Sequence, residues 1–241
     1  MEPDLVGHEA AALAWASNLS VAVPTLIAFD ADGKECGVPA TLTTKLPGSV
    51  QLKPSDRSAW LSEMAAAAVA IHRLDAAGFP WNYRRYNSKV HLEVPRWSRR
   101  PAAWRTAIRT VNAPPPRTPD VFIHRDYHPS NIVWVDDKVS GVVDWVNACR
   151  GPAGIDVAWC RHNLANLYNV DVADEFLEAY IAAAGSEFEY DPYWDLMTVV
   201  ELLPGPPTMY AGWKAEGFPP ISNDVMRQRV DRYVASVVAR L

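Results

Sequence analysis

The chain has 241 residues, of which 49% are apolar and 21% charged, with a formal net charge of −5. This length and composition suit a folded protein of one or two domains and exclude a disordered chain. The mild acidic balance argues against a nucleic-acid-binding protein, which needs a clustered basic surface, and is compatible with a cationic substrate.

The first 48 residues predict a small lobe that contains β-structure. An alanine-rich stretch at 8–18 predicts a helix. Residues 21–30 predict a short strand, Asp32-Gly33 a turn, and residues 39–45 a second strand. Leu46-Pro47-Gly48 interrupts this pattern, so we predict a domain boundary there, with a partial N-terminal lobe at 1–48 and a C-terminal lobe at 49–241.

The C-terminal lobe is predicted to be mostly helical, built around a β-hairpin. A helix-start signal ends at Asp56, and the following helix runs to about Leu74 with apolar residues at three- and four-residue steps. Strands are expected at 121–123, 132–135 and 139–143. Further helices are predicted at 101–111, 156–167, Asp171–Gly185, after Asp191 and from Asn223. Asp156 and Asp171 are the predicted caps of the second and third of these helices. Pro192 is predicted at the first helical position of the helix after Asp191. The fold class is therefore α+β.

The hairpin predicts a metal site. If Val135 pairs with Ser140 across a four-residue loop, Asn131 and Asp144 share a rung and a face, with Cβ atoms roughly 5 Å apart. A carboxylate and an amide oxygen suit a hard cation such as Mg²⁺. A one-residue slip would instead put the two side chains on opposite faces.

Asp126 is the candidate catalytic base. It lies five residues before Asn131, and Pro129 prevents a continuous helix between them, so we expect an irregular loop. An ionised aspartate there could accept a proton from a substrate hydroxyl. A base beside two metal ligands is the set that phosphoryl transfer requires.

The segments His124–Asn131 (HRDYHPSN), VDW at 143–145 and GPAGIDVA at 151–158 together carry a resemblance. They resemble the catalytic loop, metal-binding motif and following turn of the aminoglycoside phosphotransferase and choline kinase branch of the protein-kinase-like fold. The resemblance implies a two-lobe fold, Asp126 as catalytic base, and Asn131 and Asp144 as Mg²⁺ ligands. It also implies that His124 and Asp156 brace the loops, and we count His124 with Asp126 as a candidate catalytic-site residue.

The same resemblance implies an ATP- or GTP-dependent transfer of phosphate to a small-molecule hydroxyl. Residues 41–45 resemble the hinge strand that receives adenine, which makes Thr43, Thr44 and Lys45 nucleotide-binding candidates. Glu9 resembles the helix glutamate that pairs with the nucleotide-binding lysine.

The sequence does not identify the phosphate acceptor. Aminoglycosides, macrolides, choline-like alcohols, amino-acid hydroxyls and sugars all fit the resemblance, and antibiotic resistance is one biological role that such an acceptor would give. We expect the helices after residue 160 to build the acceptor pocket. Trp194 and Trp213 are equally good candidates for lining it.

Only eight residues precede Glu9, without a lysine or a glycine-rich turn. The sequence therefore predicts a truncated N-terminal β lobe. Either the start of the chain is shortened, or the protein has lost the lysine strand and glycine-rich turn that would hold the nucleotide phosphates. The alternative function is a non-catalytic, pseudokinase-like binding protein.

A second alternative is a metallohydrolase. His124, Asp126 and His128 would share one face of a strand and could bind zinc or iron. His72 and His162 are expected to be structural or exposed histidines.

Three cysteines without a C-x-x-C pair argue against a disulfide framework or a zinc ribbon. The chain has neither a signal-peptide pattern nor an apolar run long enough for a membrane span. We expect a cytoplasmic protein without nucleic-acid or membrane partners, and the sequence does not predict its oligomeric state.

Overall fold

A computed structural model of the chain describes residues 4–86, 91–186, 188–203 and 205–241. It is mixed α and β, and most of the helices follow residue 49. The helices are α1 (Leu5–Ala16), α2 (Arg57–His72), α3 (Pro101–Val111), α4 (Ala153–Leu167), α5 (Val170–Ala184), α6 (Tyr193–Val200), α7 (Ala211–Ala215) and α8 (Asn223–Val238). No helix among the described residues has the length and apolar character needed to cross a membrane.

The strands form three small antiparallel sheets, ordered β1-β2, β3-β5-β6 and β4-β7. They are β1 (Leu26–Asp30), β2 (Ala40–Thr43), β3 (Ser49–Val50), β4 (Asp120–Ile123), β5 (Ile132–Val135), β6 (Lys138–Val142) and β7 (Cys149–Pro152). The sequence did not predict β3, β7 or α7. The sequence predicts a turn at Gly151 and Pro152, but these residues end β7, which pairs with β4 and, at Arg150, with the chain at 81–83.

Helix α2 forms where the sequence predicts it. The side chain of Asp56 caps it by accepting a hydrogen bond from Ala59 N at 3.0 Å. Leu61, Met64 and Ile71 are buried on one face, as their spacing indicates. Helix α5 packs against α2.

Three helices begin one or more residues away from the start that the sequence predicts. The N-cap of α4 is Pro152, so Asp156 lies inside the first turn and is not the cap. Asn169 caps α5 in place of Asp171 by accepting from Val172 N at 3.0 Å. Pro192 is the N-cap residue of α6 and not its first helical residue.

The N-terminal helix shares its core with the larger lobe. Ala12, Leu13 and Ala16 are buried in the same apolar cluster as α2 and α4. The Trp15 ring lies 5.4 Å from that of Phe79. The predicted boundary falls at Gly48, whose φ of +100° and closeness to a backbone carbonyl favour glycine. The division into lobes at residue 48 stays a prediction.

Candidate active site

The hairpin has a different register from the predicted one. Val135 pairs with Lys138 and not with Ser140. The loop is therefore the two residues Asp136 and Asp137, whose φ values of 49° and 59° have the signs of a type I′ turn. A bulge then shifts the ladder between Val133 and Trp134.

The predicted rung between Asn131 and Asp144 is wrong, because Asn131 lies opposite Val143, whose N–H donates to the Asn131 carbonyl at 2.9 Å. Both candidate ligands also leave strand geometry, so strand alternation does not position them. Asn131 ends a 3₁₀ turn (Pro129–Asn131), and Asp144 follows β6 with a φ of 67°.

These two side chains still offer oxygen ligands. Asn131 is buried, and its Nδ2 donates to the Asp126 carbonyl at 2.9 Å. This bond fixes the amide so that Oδ1 is the atom left for a cation. Asp144 is exposed, so its carboxylate is open to a ligand. An amide oxygen and a carboxylate are a donor set that fits a hard divalent cation.

Asp156 holds the start of the loop that carries Asp126. Its buried carboxylate accepts from His124 N at 2.7 Å and from Arg125 N at 2.6 Å. His72 Nε2 lies 3.0 Å from the same carboxylate. Asp156 therefore has the bracing geometry that the resemblance implies, and it acts from within α4.

His124 uses both ring nitrogens on the backbone. Nε2 donates to the Val143 carbonyl at 2.9 Å, and Nδ1 accepts from Asp126 N at 3.3 Å. The ring thus links the loop of Asp126 to the segment of Asp144. These contacts fit the bracing role that the resemblance implies, and the assignment of His124 to the catalytic site stays a prediction.

Two side chains orient the Asp126 carboxylate. Trp159 Nε1 donates to Oδ1 at 2.6 Å, and His128 Nε2 lies 3.4 Å from the same oxygen. His128 Nδ1 accepts from Ser130 N at 3.2 Å, so its Nε2 carries the proton. Burial lowers the pKa of His128, which favours the neutral ring. Sequence reasoning missed Trp159, although it directly follows the motif Asp156-Val157-Ala158.

Arg125 joins the same loop to residues 83–86. It has a φ of 67°, and its guanidinium lies 4.0 Å from the Tyr86 ring centroid and 5.2 Å from that of Tyr83. It also donates to the Arg84 carbonyl. Glu201 anchors this segment by accepting from Tyr83 Oη at 2.8 Å, and burial raises its pKa. Sequence reasoning did not identify these contacts.

A cavity of about 420 Å³ opens beside Asp126. Residues from α4, α8 and the chain between α6 and α7 supply most of its lining, together with Trp97 and Trp104. Trp213 lines it, whereas Trp194 packs against Gly154, where an added Cβ would overlap the indole. The described lining residues are Trp97, Trp104, Asp126, His128, Trp159, His162, Asn163, Asn166, Val199, Leu202, Leu203, Gly205, Pro206, Pro207, Thr208, Tyr210, Trp213, Met226 and Val230.

The predicted hinge pairs with the segment before β1, and the chain directly after the hinge contacts the hairpin. Thr43 ends β2, and Thr44 Oγ1 accepts from Thr25 N at 2.8 Å, while Lys45 is exposed. Ser140 Oγ then donates to the Pro47 carbonyl at 2.6 Å, which ties the chain after the hinge to β6.

Glu9 lies half-buried on α1. Within the described part of the chain, the ion pairs do not include it. Its neighbour His8 fixes the helix by a 2.6 Å contact with the Ala148 carbonyl.

The residues that the structure describes do not form the geometry of a transition-metal cluster. Residues 124–128 leave β4 and do not alternate along a strand, because Arg125 is left-handed and Asp156 holds the backbone. Within residues 4–86, 91–186, 188–203 and 205–241, no three His, Cys, Asp or Glu side chains converge to hold a metal ion. His72 and His162 are both buried.

Comparison with known proteins identifies a family and several relatives. Residues 2–196 match the family APH, described as "Phosphotransferase enzyme family". The homoserine kinase of Methylocella silvestris is 27% identical over 169 residues, which cover 61% of this chain and 50% of that protein. The chain spans about half the length of the curated relatives that it matches.

Solved structures show the fold. A macrolide 2′-phosphotransferase from Brachybacterium faecium is 19% identical, with a TM-score of 0.57 over 83% of this chain and 72% of its own. An aminoglycoside phosphotransferase from Streptomyces rimosus, solved with ADP and streptomycin, is 16% identical with a TM-score of 0.58. That match covers 82% of this chain and 80% of the other. The predicted kinase-like α+β fold is confirmed.

Proposed function

The chain belongs to the APH phosphotransferase enzyme family, and we propose that it transfers the γ-phosphate of ATP or GTP to a hydroxyl group of a small molecule. One observation carries this proposal: the Asp126 carboxylate lies at the edge of a cavity and is held by two neighbouring side chains. A structural relative was solved with ADP and streptomycin, a pair of ligands that the same chemistry would use.

Asp126 acts as the base in this reaction. Its Oδ1 is held by Trp159 and His128, which leaves Oδ2 for the acceptor hydroxyl. The hydroxyl oxygen attacks the γ-phosphorus, its proton passes to Asp126, and the bond to the β-phosphate oxygen breaks to release the nucleoside diphosphate. The protein forms no covalent bond to the substrates in this reaction, so most of the rate enhancement comes from holding the hydroxyl and the γ-phosphate in the reactive orientation.

Asn131 and Asp144 would hold Mg²⁺. Their fit rests on the fixed amide oxygen of Asn131 and the exposed carboxylate of Asp144. When bound, Mg²⁺ supplies positive charge that neutralises the phosphate oxygens. Thr43, Thr44 and Lys45 would receive the nucleotide base, as the resemblance implies. The Thr44 N–H already donates to the Thr25 carbonyl at 2.9 Å, so Thr44 would have to contact the base through another atom.

Replacing the base tests the proposal. We expect Asp126→Ala to lower Mg²⁺-dependent phosphate transfer by about 10²–10⁴-fold, because the hydroxyl loses its proton acceptor. The measurement is release of the nucleoside diphosphate in a screen of hydroxyl compounds, with circular dichroism to show that the fold is kept. Equal turnover by the variant and the parent would refute the assignment.

The second candidate function is a pseudokinase-like binding protein. It is favoured by Glu9, whose carboxylate is in no ion pair with the described residues. A nucleotide-binding assay separates the two functions. Binding with turnover supports the enzyme, whereas binding without transfer to any hydroxyl compound supports the binding protein.

A further inference from the structure

A strongly basic segment lies within this acidic chain. Residues 84–117 hold nine Lys and Arg residues and a single acidic residue, Glu93, whereas the whole chain has a net charge of −5. Five of these arginines are exposed on α3 and on the chain that leads into it: Arg96, Arg99, Arg100, Arg105 and Arg109. Within the part of the chain that the structure describes, the ion pairs include none of the five. This surface therefore presents positive charge that no described ion pair neutralises.

Most of these charges lower the stability of α3. Arg99 and Arg100 precede its first turn, where positive charge opposes the helix dipole, and neither an acidic residue nor a side-chain cap compensates there. Arg105 and Arg109 are four residues apart on the exposed face, where like charges repel each other. The position of Arg109 in the last turn is the one that suits the dipole. Neutral side chains would give a more stable helix, so the arginines indicate that this face binds an anionic group.

A groove with an apolar floor lies beside this face of α3. Its volume is about 600 Å³, and its floor consists of Leu92, Val94 and Ile108. These three side chains are half-buried and pack against the main core, so the core holds the floor in place. Arg105 and Arg109 supply the charge of the groove, and its described lining has no acidic side chain.

An apolar floor beside two arginines defines the chemistry of a binding partner. Arginine forms paired hydrogen bonds with a carboxylate, and an apolar groove is covered by the apolar face of a helix. A polypeptide with acidic residues beside apolar ones supplies both groups. A nucleic-acid backbone supplies anions without aliphatic side chains, and a flat lipid surface does not fill a groove.

We propose that this groove binds an acidic amphipathic helix of a partner protein. The apolar side chains of that helix cover the floor, and its carboxylates pair with Arg105 and Arg109. Side chains four residues apart on a helix are separated by on the order of 6 Å, so carboxylates one turn apart on the partner match the two arginines. The buried face of α3 carries Trp104, which lines the cavity beside Asp126, so the partner binds to a helix that also lines the candidate active site.

Fluorescence anisotropy with labelled synthetic peptides tests this proposal on the whole protein. The probe is a helical peptide with leucines on one face and glutamates four residues apart along the edge of that face. One matched peptide replaces the glutamates by glutamine, and another replaces the leucines by alanine. We expect each matched peptide to bind about tenfold more weakly than the probe. No binding of the probe, or equal binding of the probe and either matched peptide, would overturn the proposal.

Charge reversal gives the matched protein variants. Arg105→Glu combined with Arg109→Glu should weaken binding of the probe by about tenfold or more, with the fold checked by circular dichroism. Lys53→Glu combined with Arg232→Glu changes the net charge equally at exposed positions outside the groove, so binding should stay within about twofold of the parent. Equal weakening by the two double variants would refute a site at the groove. Tighter binding of duplex DNA or of phosphatidylserine vesicles than of the probe would refute a polypeptide partner.

Discussion

At the scale of single residues, Trp159 is the side chain that most directly orients the proposed base. Its indole N–H donates to the Asp126 carboxylate at 2.6 Å. A hydrogen bond to a charged group contributes about 1.5–3 kcal/mol, so we expect Trp159→Phe to lower kcat by roughly 10–100-fold. Steady-state kinetics should show the loss in kcat, with KM for the nucleotide unchanged. A change confined to the KM for the nucleotide would contradict a role beside Asp126.

His162 makes the stability of the protein depend on pH. Its pKa is about 4 in the fold because of burial, against about 6.5 in the unfolded chain. Between pH 6.5 and 4 the unfolded state binds more protons, so the free energy of unfolding falls as the pH falls, and below about pH 4 this loss is complete. The pKa difference corresponds to roughly 3 kcal/mol.

Urea denaturation across this range measures the effect. In His162→Gln we expect a shallower fall in the free energy of unfolding from pH 6.5 to 4, because the titrating group is gone. The exposed His91 gives the control, and His91→Gln should keep the parent's dependence. Identical pH dependence in His162→Gln and the parent would show that another group causes the acid destabilisation.

At the scale of elements, α8 holds the tryptophan wall of the cavity through one carboxylate. Asp231 accepts from Ser98 Oγ at 2.6 Å, Arg99 N at 2.7 Å and Trp104 Nε1 at 2.8 Å. Asp231→Ala leaves a buried indole N–H and a backbone N–H without an acceptor. We expect a loss of about 2–4 kcal/mol in the free energy of unfolding, measured by denaturant titration.

The control for Asp231 lies on the same helix. Asp224 is mostly exposed and pairs with Arg227 at 3.4 Å, so Asp224→Ala should leave stability nearly unchanged. If Asp224→Ala lowered the free energy of unfolding as much as Asp231→Ala, the loss of any negative charge on α8 would be destabilising, and the contacts of Asp231 would not be the cause.

The hairpin shows where element-level prediction from sequence fails. The strands were predicted to within a residue or two, but their register was not. Part of the reason is tertiary: Val142 N donates to the Ala22 carbonyl at 3.0 Å, and a Cβ at Gly141 would lie 2.5 Å from that oxygen. A contact with a segment more than a hundred residues away is invisible to a local pattern.

At the scale of the whole molecule, the fold class and the loop of Asp126 could be predicted because their signals are local. The catalytic-loop motif is contiguous, and the helices follow apolar periodicity and caps. The cavity could not be predicted, because Trp97, Trp159 and Trp213 converge from distant parts of the chain. The contact of the Arg125 guanidinium with the rings of Tyr83 and Tyr86 could not be predicted either, because these residues are also distant along the chain.

The most direct test of the central claim follows labelled phosphate from γ-labelled ATP into a panel of small hydroxyl compounds in the presence of Mg²⁺. We predict at least one labelled compound with the parent chain. With Asp126→Ala we predict at least a hundredfold less label, with nucleotide binding retained. Undiminished transfer by Asp126→Ala, or nucleotide binding by the parent without transfer of label to any hydroxyl compound, would contradict the account.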